Sequence, residues 1–381
     1  MSKTICRPAA GIVIVIFLAA GIARSVDPSA KFLGANSCAS TGCHGGGGQN
    51  QNQFLIWSLK DFHSRRPAAT LTTARAKQIA DALDFKDATA DVRCTSCHAP
   101  LHEVPENLRG ENFKVSEGVS CESCHGLAEN WLRAHTRPDY TRADRIAAGM
   151  RDLQNLYVRA NTCVACHQNV DADILKAGHP ELIFELDGQS VAEPKHWSTE
   201  KNGNGAQAWL VGQAVALREM SWQLANEKSP TENEINRWAA LVWLVETATP
   251  KNADESRPPI SLPEAVKMAR QIQPELDKMA REVAGETPET SDLRAILSGL
   301  AATSDSFRDS SILQNLKARR AERLVLALDR LVAALPELKN NEPVQSALNQ
   351  LFKLAQSVPD FDPKQFADVL QKFSEALVRQ P

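Results

Sequence analysis

From residue 205 to its end, this chain of 381 residues has no cysteine and no histidine. Thiol and imidazole chemistry is thereby excluded from nearly half of the molecule. Aromatic residues are scarce at 6%, so side-chain rings supply little of any core. An excess of positive charge is also missing. The 43 Lys and Arg stand against 46 Asp and Glu, a net charge of −3, which argues against nucleic acid as a partner. Beyond the N-terminus no apolar run approaches the roughly 20 residues of a membrane span; the longest, Trp238 to Val245, is far shorter. No strong alternating pattern stands out, so the expected fold is mainly α.

The first 25 residues carry their own signature. Lys3 and Arg7 form a basic start, Ala9 to Ala20 an apolar stretch, and Ala23-Arg24-Ser25 a small-residue cleavage site. This is the layout of a secretory signal peptide. An uncleaved anchor is the alternative, but the stretch is shorter than a span requires. Cys6 precedes the apolar stretch and would leave with the leader. Cleavage removes Lys3, Arg7 and Arg24 and no acid, which takes the net charge from −3 down by three, to −6. The expectation is an acidic, periplasmic or otherwise exported protein, without a membrane span after cleavage, whose partner presents a basic face.

What is present in quantity is a motif. Eight of the nine cysteines form four pairs, each followed at once by histidine. The first is Cys38-Ala39-Ser40-Thr41-Gly42-Cys43-His44, with four residues between its cysteines. The others are Cys94-Thr95-Ser96-Cys97-His98, Cys121-Glu122-Ser123-Cys124-His125 and Cys163-Val164-Ala165-Cys166-His167. C-x-x-C-H is the attachment signature of c-type haem: two thiols add to the porphyrin vinyl groups and the adjacent imidazole binds iron. A zinc ribbon also uses paired cysteines, but has no need of histidine after each pair. The wider first motif requires a looped-out backbone, for which Ser40, Thr41 and Gly42 are suited. Four covalent haems would consume every cysteine downstream of the leader, and their rings would replace the missing aromatic core.

Nine histidines less four proximal ones leave His63, His102, His135, His179 and His196. All five fall in the motif-bearing half, which points to mostly bis-histidine iron. His102 follows His98 by four residues and cannot easily reach the far face of the same haem. His135 lies ten residues after His125, about 15 Å along a helix, so it would cap a neighbouring haem. His63 sits beside Arg65-Arg66, a propionate-pairing site. His179 is held in the restricted turn Gly178-His179-Pro180, and His196 precedes Trp197.

The chain divides near residue 200. Residues 26–199 read as a loop-rich tetrahaem region with helical pieces around Thr73–Leu83, Asn130–His135 and Ala143–Leu156. Residues 200–381 read as an antiparallel bundle of five or six helices. Helical segments fall at 205–227, with Trp209, Leu210, Val215, Leu217, Trp222 and Leu224, and at 231–248. Pro258-Pro259 marks a linker, and Ser261 caps the next helix with Glu264 at its third position. Leu313, Leu316, Leu324, Leu328, Leu331 and Leu335 form one apolar stripe. Two helices follow at 342–357 and 363–379, the last opened by Asp362-Pro363.

The four motifs, the His-Ser-Arg-Arg segment at His63, Cys124-His125-Gly126 with Trp131 and His135, and Gly178-His179-Pro180 resemble the cytochrome c-554 family of multihaem cytochromes, within the wider hydroxylamine-oxidoreductase-like group. The likeness covers roughly residues 34–199. It implies closely packed haems and periplasmic electron transfer. It also implies that His63 caps the haem of His125, His135 that of His167 and His179 that of His44, with the haem of His98 left five-coordinate. The first motif and the position of His179 after the fourth motif depart from the family pattern.

The expected function is electron transfer between redox partner proteins through covalent haem c. The rival is a haem enzyme acting on small nitrogen or sulfur oxides as ligands of one open iron, with Tyr140, Arg137 and Asp139 as a candidate pocket. No C-x-x-C-K motif is present. The helical half is read as a structural bundle, with a docking module as the alternative.

Overall fold

The computed structural model describes residues 29–48, 51–64, 66–197, 205–249, 261–357 and 360–378. The proposed leader, Arg65 and the Pro258-Pro259 linker lie outside them. The described residues are mainly α, with no strand among them and a single parallel bridge between Phe32 and Arg109.

The motif-bearing half holds short helices separated by loops: α1 (Gln53–Lys60), α2 (Arg66–Thr70), α3 (Ala74–Ala82), α4 (Val92–His98), α5 (Cys121–His125), α6 (Arg142–Ala147), α7 (Leu156–His167), α8 (Ala172–Lys176) and α9 (Leu186–Ala192). The other half is built from longer ones: α10 (Gly205–Asn226), α11 (Glu232–Ala248), α12 (Leu262–Gly285), α13 (Thr290–Ala301), α14 (Ser304–Arg308), α15 (Gln314–Ala334), α16 (Glu342–Ala355) and α17 (Pro363–Val378).

The helix α10 is the axis of the bundle. It is buried on every face from Ala206 to Leu217, as expected of a helix apolar all round. Around it pack α12, α11, α15, α9 and α7. Small buried residues of α12, including Ala265, Ala269 and Ala280, allow close approach to α10. The leucine stripe of α15 is buried at Leu316, Leu324, Leu328 and Leu331, with Leu335 just beyond the helix, whereas Leu313 lies ahead of it and is exposed. The capping box of Ser261 with Glu264 is formed.

Two short expectations change. Residues 130–135 make only turns and the 3-10 turn Ala134–Thr136, and the stretch from 143 breaks after α6. Gly149 takes φ 97°, in the left-handed region. Asn155 then caps a new helix, its side chain accepting from the N–H groups of Tyr157 and Val158.

The bundle's apolar core reaches back across residue 199. Leu156, Ala160 and Val164 of α7, with Phe184 and Leu186, belong to it. Gly212 of α10 makes room for this: a Cβ there would stand 2.9 Å from Cβ of Leu186. The motif-bearing half has a second apolar cluster of only Leu71, Ala80 and Ala88. Arg159, Cys163, Cys166 and His167 of α7 line a large cavity, and Cys163 also packs against the bundle core.

Candidate haem site

Three motifs end helices. His98, His125 and His167 are the last residues of α4, α5 and α7. Asp91 caps α4 by accepting from the N–H of Arg93, and Ser120 and Ser123 form the capping box of α5. The first motif follows a 3-10 turn, Ala35–Cys38. Its wider loop closes when the N–H of His44 donates to the carbonyl of Cys38 at 3.1 Å and that of Gly45 to Ser40 at 3.0 Å. Only glycine fits at 45, because a Cβ would lie 1.9 Å from the carbonyl oxygen of Ala39. The four residues between the cysteines are thus taken up in a compact loop that returns His44 to the cavity.

The cavity has a volume of about 2200 Å³ and is lined by all the motif cysteines and histidines except Cys43, which is exposed. Pockets for single small molecules measure roughly 300–1,000 Å³, so this one suits several bulky groups. Three of the exposed large apolar side chains, Phe62, Val92 and Ile146, line it. A flat apolar ring would cover them. The eight thiols are all free, which leaves each available for a thioether. The residues present therefore fit haem c.

The thiols of different motifs approach one another. Cys38 and Cys121 are hydrogen-bonded, as are Cys97 and Cys166. These bonds and burial push Cys121 and Cys166 up. Burial, with the neighbouring Cys163, pushes Cys124 up to about 12, and burial pushes Cys163 up to about 11. Among the described residues no three cysteine or histidine ligand atoms converge on one point; the only such metal-type cluster is Asp61, Glu193 and His196. A zinc ribbon would require four converging thiolates.

The imidazoles are arranged in pairs. The rings of His44 and His135 stack with centroids 6.0 Å apart and planes 15° from parallel. His63 meets His167 edge-on at 6.0 Å, and His98 meets His179 edge-on at 6.4 Å. A bond from metal to histidine nitrogen is about 2 Å, and that nitrogen lies about 1 Å from its ring centre, so two rings on opposite sides of one metal stand about 6 Å apart. His125 lacks a ring contact of this kind. Desolvation in the cavity wall, and then the nearby His196, push it down to about 4, so it is a neutral imidazole ready to ligate.

This pairing differs from the one the family likeness implies. His63 faces His167 and not His125, His135 faces His44 and not His167, and His179 faces His98 and not His44. The chain's own contacts cause the last change. Arg75 of α3 donates through Nε to the carbonyl of Gly178 at 3.1 Å, and Arg93 of α4 pairs with Asp171 and Asp173. Together they draw the loop of His179 to the second motif.

Most of these rings have their other nitrogen fixed. Nδ1 of His44 lies 2.8 Å from Oε1 of Gln53. Nδ1 of His63 lies 3.1 Å from Oδ1 of Asp61. Nδ1 donates to the carbonyls of Pro67 from His98 at 3.0 Å, of Trp131 from His135 at 3.3 Å and of Pro180 from His179 at 2.8 Å. Protonation at Nδ1 leaves Nε2 free for a metal, the arrangement usual for ligating histidine. His102 is different: it does not line the cavity, and its Nδ1 lies 2.8 Å from the neighbouring Glu103. Tyr140 does not line the cavity either, and Arg137 and Asp139 pair with each other in solvent.

Four carboxylates carry roles that no sequence pattern signals. Glu122, inside the third motif, is 1% exposed. It accepts from the N–H groups of Leu33 at 3.0 Å, Gly34 at 2.7 Å and Ala128 at 2.8 Å, tying α5 to the segment that leads into the first motif. Burial still raises its carboxyl above the usual range. Glu117 accepts from Ala35 N–H at 3.0 Å. Burial works to raise Asp61, but its bonds from His63 outweigh this and hold it low. Burial raises Glu193, opposed by His196 and reinforced by Asp61.

Residues 37–126 match the family model described as cytochrome c554 and c-prime. No curated protein and no solved structure matches the chain. The matched stretch holds the first three attachment motifs, so this part of the chain is similar to the c-type cytochromes of the cytochrome c-554 family.

Proposed function

We propose that the protein is an exported, periplasmic tetrahaem cytochrome that passes electrons between redox partners, with every iron closed by two histidines. Each haem supplies iron that cycles between ferric and ferrous states. The observation that carries this reading is the set of three imidazole pairs at 6.0–6.4 Å. Each pair joins one motif histidine to one spare histidine: His44 with His135, His167 with His63, and His98 with His179. The fourth pair is His125 with His196, which line the same cavity and interact electrostatically. Cys38, Cys43, Cys94, Cys97, Cys121, Cys124, Cys163 and Cys166 form the thioethers. His102 is left over.

The thiol neighbours order the motifs. Cys38 adjoins Cys121, Cys124 adjoins Cys163, and Cys166 adjoins Cys97. The sequence in space is first, third, fourth, second, a continuous row with the sites of His44 and His98 at its ends. The excess of acid supports a partner with a basic face.

Pyridine haemochrome assay with intact mass of the exported protein is expected to return four covalent haems, and the ferric spectrum to be fully low-spin with no CO binding on reduction. Fewer than three haems overturns the reading. A high-spin ferric signal with rapid CO binding replaces the carrier by an enzyme with one open iron.

A further inference from the structure

Asp61, just past the end of α1, is 5% exposed and stands beside two imidazoles. Its Oδ1 accepts from the backbone N–H of His63 at 2.9 Å and lies 3.1 Å from Nδ1 of the same ring. Its carboxylate also lies within 4.8 Å of a ring nitrogen of His196 and of the carboxylate of Glu193. Glu193 stands 3.9 Å from Nδ1 of His196. Two spare histidines from opposite ends of the motif-bearing half thus meet one carboxylate pair. The contrast with the other cavity rings is one of charge. Nδ1 of His44, His98, His135 and His179 each bonds a neutral amide or carbonyl oxygen, whereas Nδ1 of His63 meets Asp61 and that of His196, 3.3 Å from the carbonyl of Pro194, has Glu193 beside it as well.

An anionic acceptor on Nδ1 raises the donor strength of the imidazole. A fixed negative charge in a poorly solvated site also favours the more positive metal. Both effects stabilise ferric iron over ferrous. We propose that Asp61, with Glu193, is a shared positioning carboxylate for two haems, those of His167 and His125, and sets them as the low-potential pair. The proposal rests on the bis-histidine reading above. The thiols add its consequence: Cys124 and Cys163 place these same two motifs side by side in the interior of the row. The end sites, which have neutral acceptors, then reduce first, and the interior pair last.

The test is a spectroscopically monitored redox titration of the holoprotein carrying Asp61→Asn. Two of the four midpoints are expected to rise while the other two hold, with all iron still low-spin, and Asp61→Glu is expected to restore them in part. A shift in one midpoint alone would show that Asp61 serves only His63, and equal shifts in all four would show a general charge effect; either overturns the proposal, as does no shift. Should the asparagine variant fail to fold, Glu193→Gln leaves the bond to His63 intact and is expected to raise the same two midpoints by less; unchanged midpoints there overturn the sharing. A high-spin iron in the unaltered protein would instead sink the bis-histidine reading itself.

Discussion

The two halves of the molecule solve the same problem with different materials. Residues 205–378 bury Trp209, Trp238, Phe307, Phe366 and Phe373 almost completely, and each fully buried large apolar side chain contributes roughly 1.5–3 kcal/mol. The described residues between 29 and 155 gather three buried apolar residues into a small cluster and otherwise surround a cavity. The bundle's core is written in side chains. The short helices of the motif-bearing half pack little on one another, and haem in the cavity would supply most of that half's core. The helix α7 stands between the two regimes, with Leu156, Ala160 and Val164 in the bundle core and Cys163, Cys166 and His167 in the cavity wall. Haem attachment at the fourth motif would therefore couple directly to the bundle through α7.

The largest way to break this comparison is to withhold haem. With all eight motif cysteines changed to serine, hydrogen exchange is expected to show residues 29–155 unprotected while α10–α17 keep their protection. Isolated helices this short are marginal in water, and only the bundle has a core without porphyrin. A protected first half would end the argument. The converse lesion is Phe366→Ala. This ring is fully buried and packs at 4.7 Å on Phe307 and 5.6 Å on Phe361. Truncation is expected to cost about 3–5 kcal/mol, read as a lowered unfolding midpoint in the bundle with the haem spectrum of the folded protein unchanged.

The same division explains what could be read in advance. The bundle was legible because its helices announce themselves: Ser261 and Glu264 close a capping box, Pro363 opens the last helix, and the stripe from Leu316 to Leu331 has helical spacing. The haem motifs were legible because attachment needs two thiols and an imidazole close together in the chain. The pairing of imidazoles was not, because it is set by contacts distant in sequence, such as Arg75 with the carbonyl of Gly178. Asp61, Glu122 and Glu193 left no trace for a related reason. A carboxylate becomes a ligand-orienting or loop-tying group only through what is folded against it, and each looked like an ordinary surface acid.

The smallest predicted effect probes the seam between the halves. Glu185, at the start of α9, is buried; it accepts from Nε2 of Gln213 on α10 at 3.0 Å and lies 3.7 Å from Nη1 of Arg323 on α15. Burial pushes its carboxyl up to about 7, although Arg323 pulls the other way. A folded-state pKa above the unfolded value means that the folded chain holds this proton more tightly. The contribution is complete below the ordinary value of 4.5 and is lost as pH rises through about 7. At 1.36 kcal/mol per pKa unit this is on the order of 3 kcal/mol between the protonated and ionised limits. Glu185→Gln cannot ionise, so urea unfolding of the bundle, followed at pH 5 and pH 8, should show a flatter stability difference than the parent. An unaltered difference would mean that this seam carboxylate is already ionised at pH 5, and that the ion pair with Arg323 outweighs burial there.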